Sequence, residues 1–444
     1  MNIESVTLAA LAVLLFAGVG DRLARSPLSP PMLFILFGAA IGPLLLNVAE
    51  IDAEADSVRV VAELTLILVL FTDASRIRLG EVGRYHNLPL RSLAIGMPLT
   101  ILAGTLAAVW LFPNITVFEA ALLAAVLAPT DAALGQPVMT DRSVPPRIQQ
   151  SINVESGLND GLALPAVLFF IACVGAEGEI IGQEGRGVGA WMVFAAAQVG
   201  FGALVGILAG GGAAHALRRL AGRGEEAEPY EGLGALATAI LAYGVAHLIG
   251  GNGFIAAFVA GLTFGNTLGR PARFLYAFME TEGHLLVLLT FMVVGVALLP
   301  DAIALFNPWM LVYAVLSLTV IRMVPVLIAL LGTDVRWPTR LFLGWFGPRG
   351  IASILFALLI VEREDIEHGS VLMAATVVTV VLSAFLHGVS APGLAARYGA
   401  WARRIGDAAE TVPVPEMRIR QGPLMRALAR RRNGAEPGVD EPPR

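Results

Sequence analysis

The sequence predicts an all-α polytopic membrane protein. It reads as about 13 transmembrane helices in two six-helix inverted repeats, with discontinuous helices at spans 5 and 12. Three observations carry this prediction. Of the 444 residues, 56% are hydrophobic and 15% charged, with a mean hydropathy of +0.74; soluble domains carry roughly 25% charged residues. Apolar runs of about 17–25 residues recur along the chain, the length a helix needs to cross a bilayer. The short connections between them alternate between basic and acidic.

In order, the apolar runs cover residues 3–20, 31–48, 58–74, 91–112, 116–139, 147–174, 188–220, 231–249, 253–268, 282–299, 304–331, 340–361 and 369–398. The first lacks a basic n-region and a small-residue cleavage site, so it reads as a spanning helix rather than a leader. Several runs exceed what the bilayer needs, which implies tilt or protruding ends. Span 5 is broken by Pro129 and span 12 by Gly347-Pro348-Arg349-Gly350. If span 7 joins two repeats of about six spans, the two breaks hold equivalent positions. Paired Gly/Pro interruptions in the two halves point to the midplane site of a transporter.

All 30 basic residues are Arg, and they set the orientation. The connections after spans 1, 3, 5, 7, 9 and 11 hold Arg22, Arg25, Arg76, Arg78, Arg84, Arg142, Arg218, Arg219, Arg223, Arg270, Arg273 and Arg336. The alternate connections are acidic, with Glu50, Asp52, Glu54 and Asp56, then Glu177, Glu179 and Glu184, then Glu362, Glu364, Asp365 and Glu367. Only Arg59, Arg186 and Arg363 fall on that side. This places the N-terminus outside and the C-terminus in the cytoplasm of a multi-pass protein, with the bacterial inner membrane as the expected location. Residues 1–400 form the expected transmembrane domain. Residues 401–444 form an expected mobile cytoplasmic tail, first basic, then Pro/Gly-rich and acidic, whose Arg430–Arg432 run can meet lipid headgroups. The net charge of -5 gives no reason to expect a nucleic-acid partner, because charge here is partitioned by membrane side. The single Cys173 excludes a disulfide framework and a Cys-based metal site.

The chemistry concentrates between Ala128 and Pro165. An ionisable group this deep in apolar sequence is costly and marks an ion or proton path by default. In span 6, Ser156 and Asp160 are four apart and share a helix face, with Glu155 and Asn159 on the neighbouring stripe. Opposite an unwound Thr130-Asp131 they make a set of hard oxygen ligands suited to a small dehydrated cation. Pro129 frees helix carbonyls that can join where they line a cavity. One carboxylate can hold a proton or a cation but hardly both, and that competition is enough for exchange. Arg322, alone in span 11, needs an acidic partner, and Glu155 is the best candidate while Asp160 and Asp131 stay free for the ion. Arg349 is placed to neutralise helix-end carbonyls where span 12 unwinds.

Blander readings stand beside these. Asp160 could be a hydrogen-bonded structural acid, and a structural role is the stronger one for Glu155 and Arg322. Asn159 could bond between helices and Ser156 to its own backbone. His247, His284 and His387 show no metal-ligand spacing and read as interfacial or packing residues, and Asp73 as a solvated end group.

The set PTD (129–131), ESGLNDG (155–161), Arg322, GPRGIAS (347–353) and HGVSAPGL (387–394), in this order, resembles the electroneutral cation/proton antiporters: the prokaryotic NhaP-type proteins and animal sodium/proton exchangers. The resemblance covers the chain to about residue 400. It implies a homodimer in the lipid bilayer, each protomer with a dimerisation domain and a moving six-helix core, with ions bound where the broken helices cross. It implies Na+ or another monovalent cation, Li+ included, exchanged for H+ by alternating access, without a cofactor and without enzymatic chemistry, in the service of pH homeostasis. It assigns exchange to Asp160, with Asp131, Thr130, Ser156 and Glu155 in support, and pairs Glu155 with Arg322. Asn159-Asp160 implies one-for-one, electroneutral exchange. PTDAAL and GPRG depart from the more usual PTDPV and GLRG, at the two breaks. A potassium/proton antiporter is the alternative on the same scaffold. From other classes, an intramembrane aspartyl protease would use Gly-x-Gly-Asp, where this chain has Gly157-Leu158-Asn159-Asp160. A channel fits intramembrane acids balanced by an Arg less well than a stepwise carrier does.

Overall fold

The computed structural model describes residues 7–8, 10–16, 18, 28–49, 56–77, 79–80, 87–181, 188–220, 228–269, 283–361 and 366–412, and among these every regular element is helical. Much of span 1 lies outside the described residues, as does the tail from 413. So do many of the charges that set the expected orientation, among them Arg22, Arg25, Arg84, Arg223, Arg270, Arg273, Glu50 and Asp52.

Helix α1 (Pro30–Ile41) starts with prolines in its first turn, where a missing N–H leaves no bond unmade. It ends seven residues before the apolar run does. Pro43 disfavours helical geometry at Gly42, which is extended, and residues 42–46 turn instead. Helix α2 covers Asp56–Ser75, and α3 covers Asn87–Leu111 with a π-turn at Ser92–Gly96. Span 5 is two helices, α4 (Val117–Val126) and α5 (Ala132–Met139). Then follow α6 (Pro146–Ile181), α7 (Val188–Leu220), α8 (Glu228–Leu248) and α9 (Gly253–Leu268). Helix α10 (His284–Ala304) holds a π-turn at Val294–Leu298, and α11 (Pro308–Ala329) bends at Thr319, where φ is -115° and ψ -93°. Pro325, a turn and a half later, removes a donor from the same stretch. Span 12 is again two helices, α12 (Trp337–Trp345) and α13 (Ile351–Val361), and α14 runs from Gly369 to Ile405.

Among the described residues, six helices are long and apolar enough to cross a bilayer: α3, α6, α7, α10, α11 and α14. The packing falls into two groups. In the first, α9 is held between α7 and α2, with α8 alongside. Gly202, Gly206 and Gly210 of α7 face the carbonyls of Asn252, Ala256 and Ala260 of α9, and a methyl on any of them would strike those oxygens. Two backbones in such contact form a stiff seam. In the second group, α3–α6 and α11–α14 each present a helix, a broken helix and a long helix in order, and the two triplets pack on one another.

Beyond α14 the chain folds back on this second group. A 3-10 turn at Ala409–Thr411 buries Glu410 completely, where its carboxylate accepts from Arg336 N (2.7 Å) and Thr339 Oγ1 (3.1 Å). Arg147, at the start of α6, donates to Asp334 (2.8 Å) and to the Ala409 carbonyl.

Candidate cation and proton site

Each broken helix exposes backbone carbonyls at the end of its first half and amides at the start of its second. The structure places the two breaks against each other and lets them satisfy these groups mutually. Asp131 N donates directly to the Pro348 carbonyl at 2.7 Å. The Asp131 carboxylate caps α5, accepting from Ala133 N (2.6 Å) and Leu134 N (3.4 Å), while its other oxygen accepts from Ile351 N, the first residue of α13, at 2.9 Å. One negative side chain therefore faces the positive ends of two helix dipoles. Arg349, fully buried, donates from one terminal nitrogen to the carbonyls of Ala128 (2.7 Å) and Pro129 (3.1 Å) beyond the end of α4. Gly350 is needed at this point because a Cβ there would overlap the Asp131 carboxylate.

Helix α6 lies across the crossing. Ser156 Oγ donates to the Thr130 carbonyl at 2.5 Å, and Asn159 Nδ2 donates to Thr130 Oγ1 at 2.6 Å. The Asn159 carbonyl oxygen has no hydrogen-bond partner among the described residues. Asp160 is next along and is 9% exposed, one turn from Ser156 on the same face. The structure thus brings Ser156 and Asn159 into direct contact with Thr130 beside Asp160, a set of carboxylate, amide, hydroxyl and carbonyl oxygens of the kind that suits hard cations. Glu155 points elsewhere and forms a buried ion pair with Arg322 of α11. The Arg322 guanidinium also lies against Gly347 in the second break.

Three positions differ from the sequence reading. Asp131 is not free, since both carboxylate oxygens accept backbone amides. Arg349 does compensate helix-end carbonyls, but those of the other broken helix. Asp73 is half-buried, with its Cβ and carbonyl about a contact distance from where a Gly157 side chain would begin, so it is no simple solvated end group. Sequence reasoning missed Ser383, whose hydroxyl accepts from Arg349 N at 2.7 Å. Nothing marks one serine in an apolar helix, and the four-residue spacing to His387 is the only signal that could have drawn notice.

Two broken helices that cross beside a buried Asn-Asp pair, within a bundle of apolar helices, define a polytopic membrane transporter fold. Residues 9–397 match the family described as sodium/hydrogen exchanger, transmembrane, and the chain belongs to that family. It is 27% identical over 310 residues to the K(+)/H(+) antiporter NhaP2 of Shewanella oneidensis, a match covering 67% of this chain and 50% of that protein. It is 25% identical over 365 residues to the K(+)/H(+) antiporter NhaP of Alkalimonas amylolytica, covering 81% of this chain and 61% of the relative. The matches thus span about half the length of the first relative and three-fifths of the second. Among solved structures, the sodium proton antiporter MjNhaP1 from Methanocaldococcus jannaschii at pH 8 aligns with a TM-score of 0.72 at 20% identity, covering 89% of this chain and 99% of that one. That likeness is one of fold.

Proposed function

We propose that this chain is a secondary active transporter that exchanges one monovalent cation, Na+ or Li+, for one proton by alternating access. The observation that carries the reading is the Thr130–Ser156–Asn159 cluster at the crossing of two broken helices, one helical turn from Asp160. Asp160 holds either the proton or the cation. Ser156, Asn159 and Thr130 contribute oxygens, and Asp131 holds the two restarting helices together while adding negative charge to the site. Glu155 and Arg322 form the structural pair, and Arg349 compensates carbonyl charge at the break. No cofactor enters the cycle, and the cation leaves chemically unchanged, so the chain acts as a carrier and not an enzyme.

The further features belong to the same proposal. The protein is a homodimer in a bacterial inner membrane, N-terminus outside and C-terminus in the cytoplasm, with lipids as its surroundings. Residues 1–400 form the antiporter domain. Residues 401–444 form the cytoplasmic tail, with the segment to 412 lashed to the body and the expected mobility falling on residues outside those described. The dimer forms through the group containing α7 and α9, and the group carrying the breaks moves against it.

A K+/H+ exchange is the second reading, favoured by the names of the two bacterial relatives. Reconstitution in proteoliposomes with an internal pH dye decides between them. Pulses of Na+ or Li+ are expected to drive proton movement. A response to K+ alone would replace the first reading by the second, and no response to any of the three would sink both.

A further inference from the structure

Two backbone groups flank the break between α12 and α13: the Trp345 carbonyl before it, which already accepts from Gly347 N at 2.8 Å, and the Arg349 amide after it. Both also meet side chains on a single turn of α14. Ser383 and His387 are four apart and so share one face of that helix, and they are 0% and 1% exposed. Arg349 N donates to Ser383 Oγ at 2.7 Å. His387 Nε2 lies 3.0 Å from the Trp345 carbonyl, and the imidazole packs on the Trp345 ring with centroids 5.3 Å apart. His387 Nδ1 lies 3.2 Å from Ser383 Oγ and 3.0 Å from the Ser383 carbonyl.

The directions of these bonds follow from which atoms carry hydrogens. An amide only donates, so Ser383 Oγ accepts from Arg349 N and keeps its own hydrogen to give. A carbonyl only accepts, and each ring nitrogen of His387 faces one, Nε2 that of Trp345 and Nδ1 that of Ser383, so the hydrogen of a neutral ring can sit on either. With it on Nε2, the ring donates to Trp345, Nδ1 is an acceptor, and Ser383 O–H is the donor that faces it. In that tautomer the bonds run as one directed chain, from Arg349 N–H to Ser383 O–H to His387 and on to the Trp345 carbonyl.

We propose that Ser383 and His387 are positioning residues for cation/proton exchange: as a neutral, Nε2-protonated relay they clamp the broken helix on both sides of its break. The consequence reaches the site through three consecutive residues. Pro348 accepts from Asp131 N, Arg349 donates to Ala128 and Pro129, and Gly350 abuts the Asp131 carboxylate. Loosening the clamp would move these contacts together and shift Thr130, the ligand next to Asp131. The ring itself carries no transported proton.

This inference rests on the exchange activity proposed above, and its test separates the two. In His387→Gln the side-chain amide can still donate to Trp345, whereas His387→Phe keeps the ring shape without a donor. Gln is expected to exchange cation for proton within about threefold of wild type, and Phe to be slower by about tenfold, the scale of one buried hydrogen bond lost. The pH midpoint of exchange should stay unchanged in the Gln variant. Ser383→Ala should slow exchange and Ser383→Thr restore it, a comparison that decides the matter if the Phe variant does not fold. In protein labelled with 15N in its histidine rings, the resonance missing from His387→Gln should report the Nε2–H tautomer near neutral pH. The inference is overturned by a Phe variant as fast as wild type, by Gln no better than Phe, by a shifted pH midpoint in Gln, or by an Nδ1–H or charged ring. Wild-type protein that moves no proton with any cation would instead defeat the exchange reading, while the tautomer measurement still judges the relay.

Discussion

Charge at the crossing is divided among three carboxylates held in three settings. Glu155 is matched by Arg322, and Asp131 by backbone amides of α5 and α13, while Asp160 adjoins Asn159 and shares a helix face with Ser156. If Asp160 is the shared proton and cation group, Asp160→Asn should abolish exchange in proteoliposomes and leave a folded protein that elutes like wild type by size-exclusion chromatography. Added Na+ should raise the melting temperature of the wild type and not that of the variant; cation-driven proton flux near the wild-type level would remove Asp160 from the role. The buried pair makes a different demand. Glu155→Ala or Arg322→Ala strands one charge and should cost about 3–5 kcal/mol, read as a fall in yield or melting temperature larger than that from Ser156→Ala. The charge-reversed double variant should regain part of it, and two single variants that melt like wild type would rule out the pair. Much of this was legible in the sequence. A lone Arg in an apolar helix demands a partner because an unpaired buried charge is costly, and the spacing of Ser156 and Asp160 fixes their shared face. The capping by Asp131 was not legible, because one of its partners, Ile351, is 220 residues away. Nor was the role of Arg349, which depends on which break faces which.

At the scale of elements, the two breaks behave as one joint. The bonds from Asp131 to Pro348 and Ile351, and from Arg349 to Ala128 and Pro129, tie four half-helices at one place. Gly350→Ala tests that joint, since its methyl must displace the Asp131 carboxylate. The expected cost is about 1–3 kcal/mol, as for overpacking a filled interior, with a matching loss of exchange. Gly135→Ala within α5 is the comparison, because its nearest neighbour is the flexible end of Met139 at 3.5 Å. Thermal unfolding of the two variants should separate them, and equal melting temperatures would argue against a tight joint. The interruptions themselves could be read from the chain, since Pro129 and the Gly-Pro-Arg-Gly run cannot continue a regular helix. Hydropathy could not reveal the early end of α1 or the bend at Thr319. It measures how apolar a run is and is silent about backbone geometry.

For the whole molecule, the charge count at the joint predicts electroneutral exchange. Asn159 is neutral and Glu155 is matched, so if Asp160 is the exchanging group it crosses either as the acid or as the carboxylate with one cation, and the two loaded forms carry equal charge. A cycle moving one net charge would gain about 2.3 kcal/mol at 100 mV. Na+-driven exchange in proteoliposomes should therefore run at the same rate with and without a valinomycin-clamped potassium potential. A steady-state pH gradient that follows the imposed potential would show that a second charge moves, with Asp131 the first suspect. The turn beyond α14 bears on the same molecule in another way. Arg147, on the helix that carries Asp160, grips the Ala409 carbonyl, and Glu410 fills a sealed space against Arg336 and Thr339. In genetic terms, a premature stop upstream of codon 409 removes a buried carboxylate and a partner of Arg147 together, a lesion in the body of the transporter rather than in its tail.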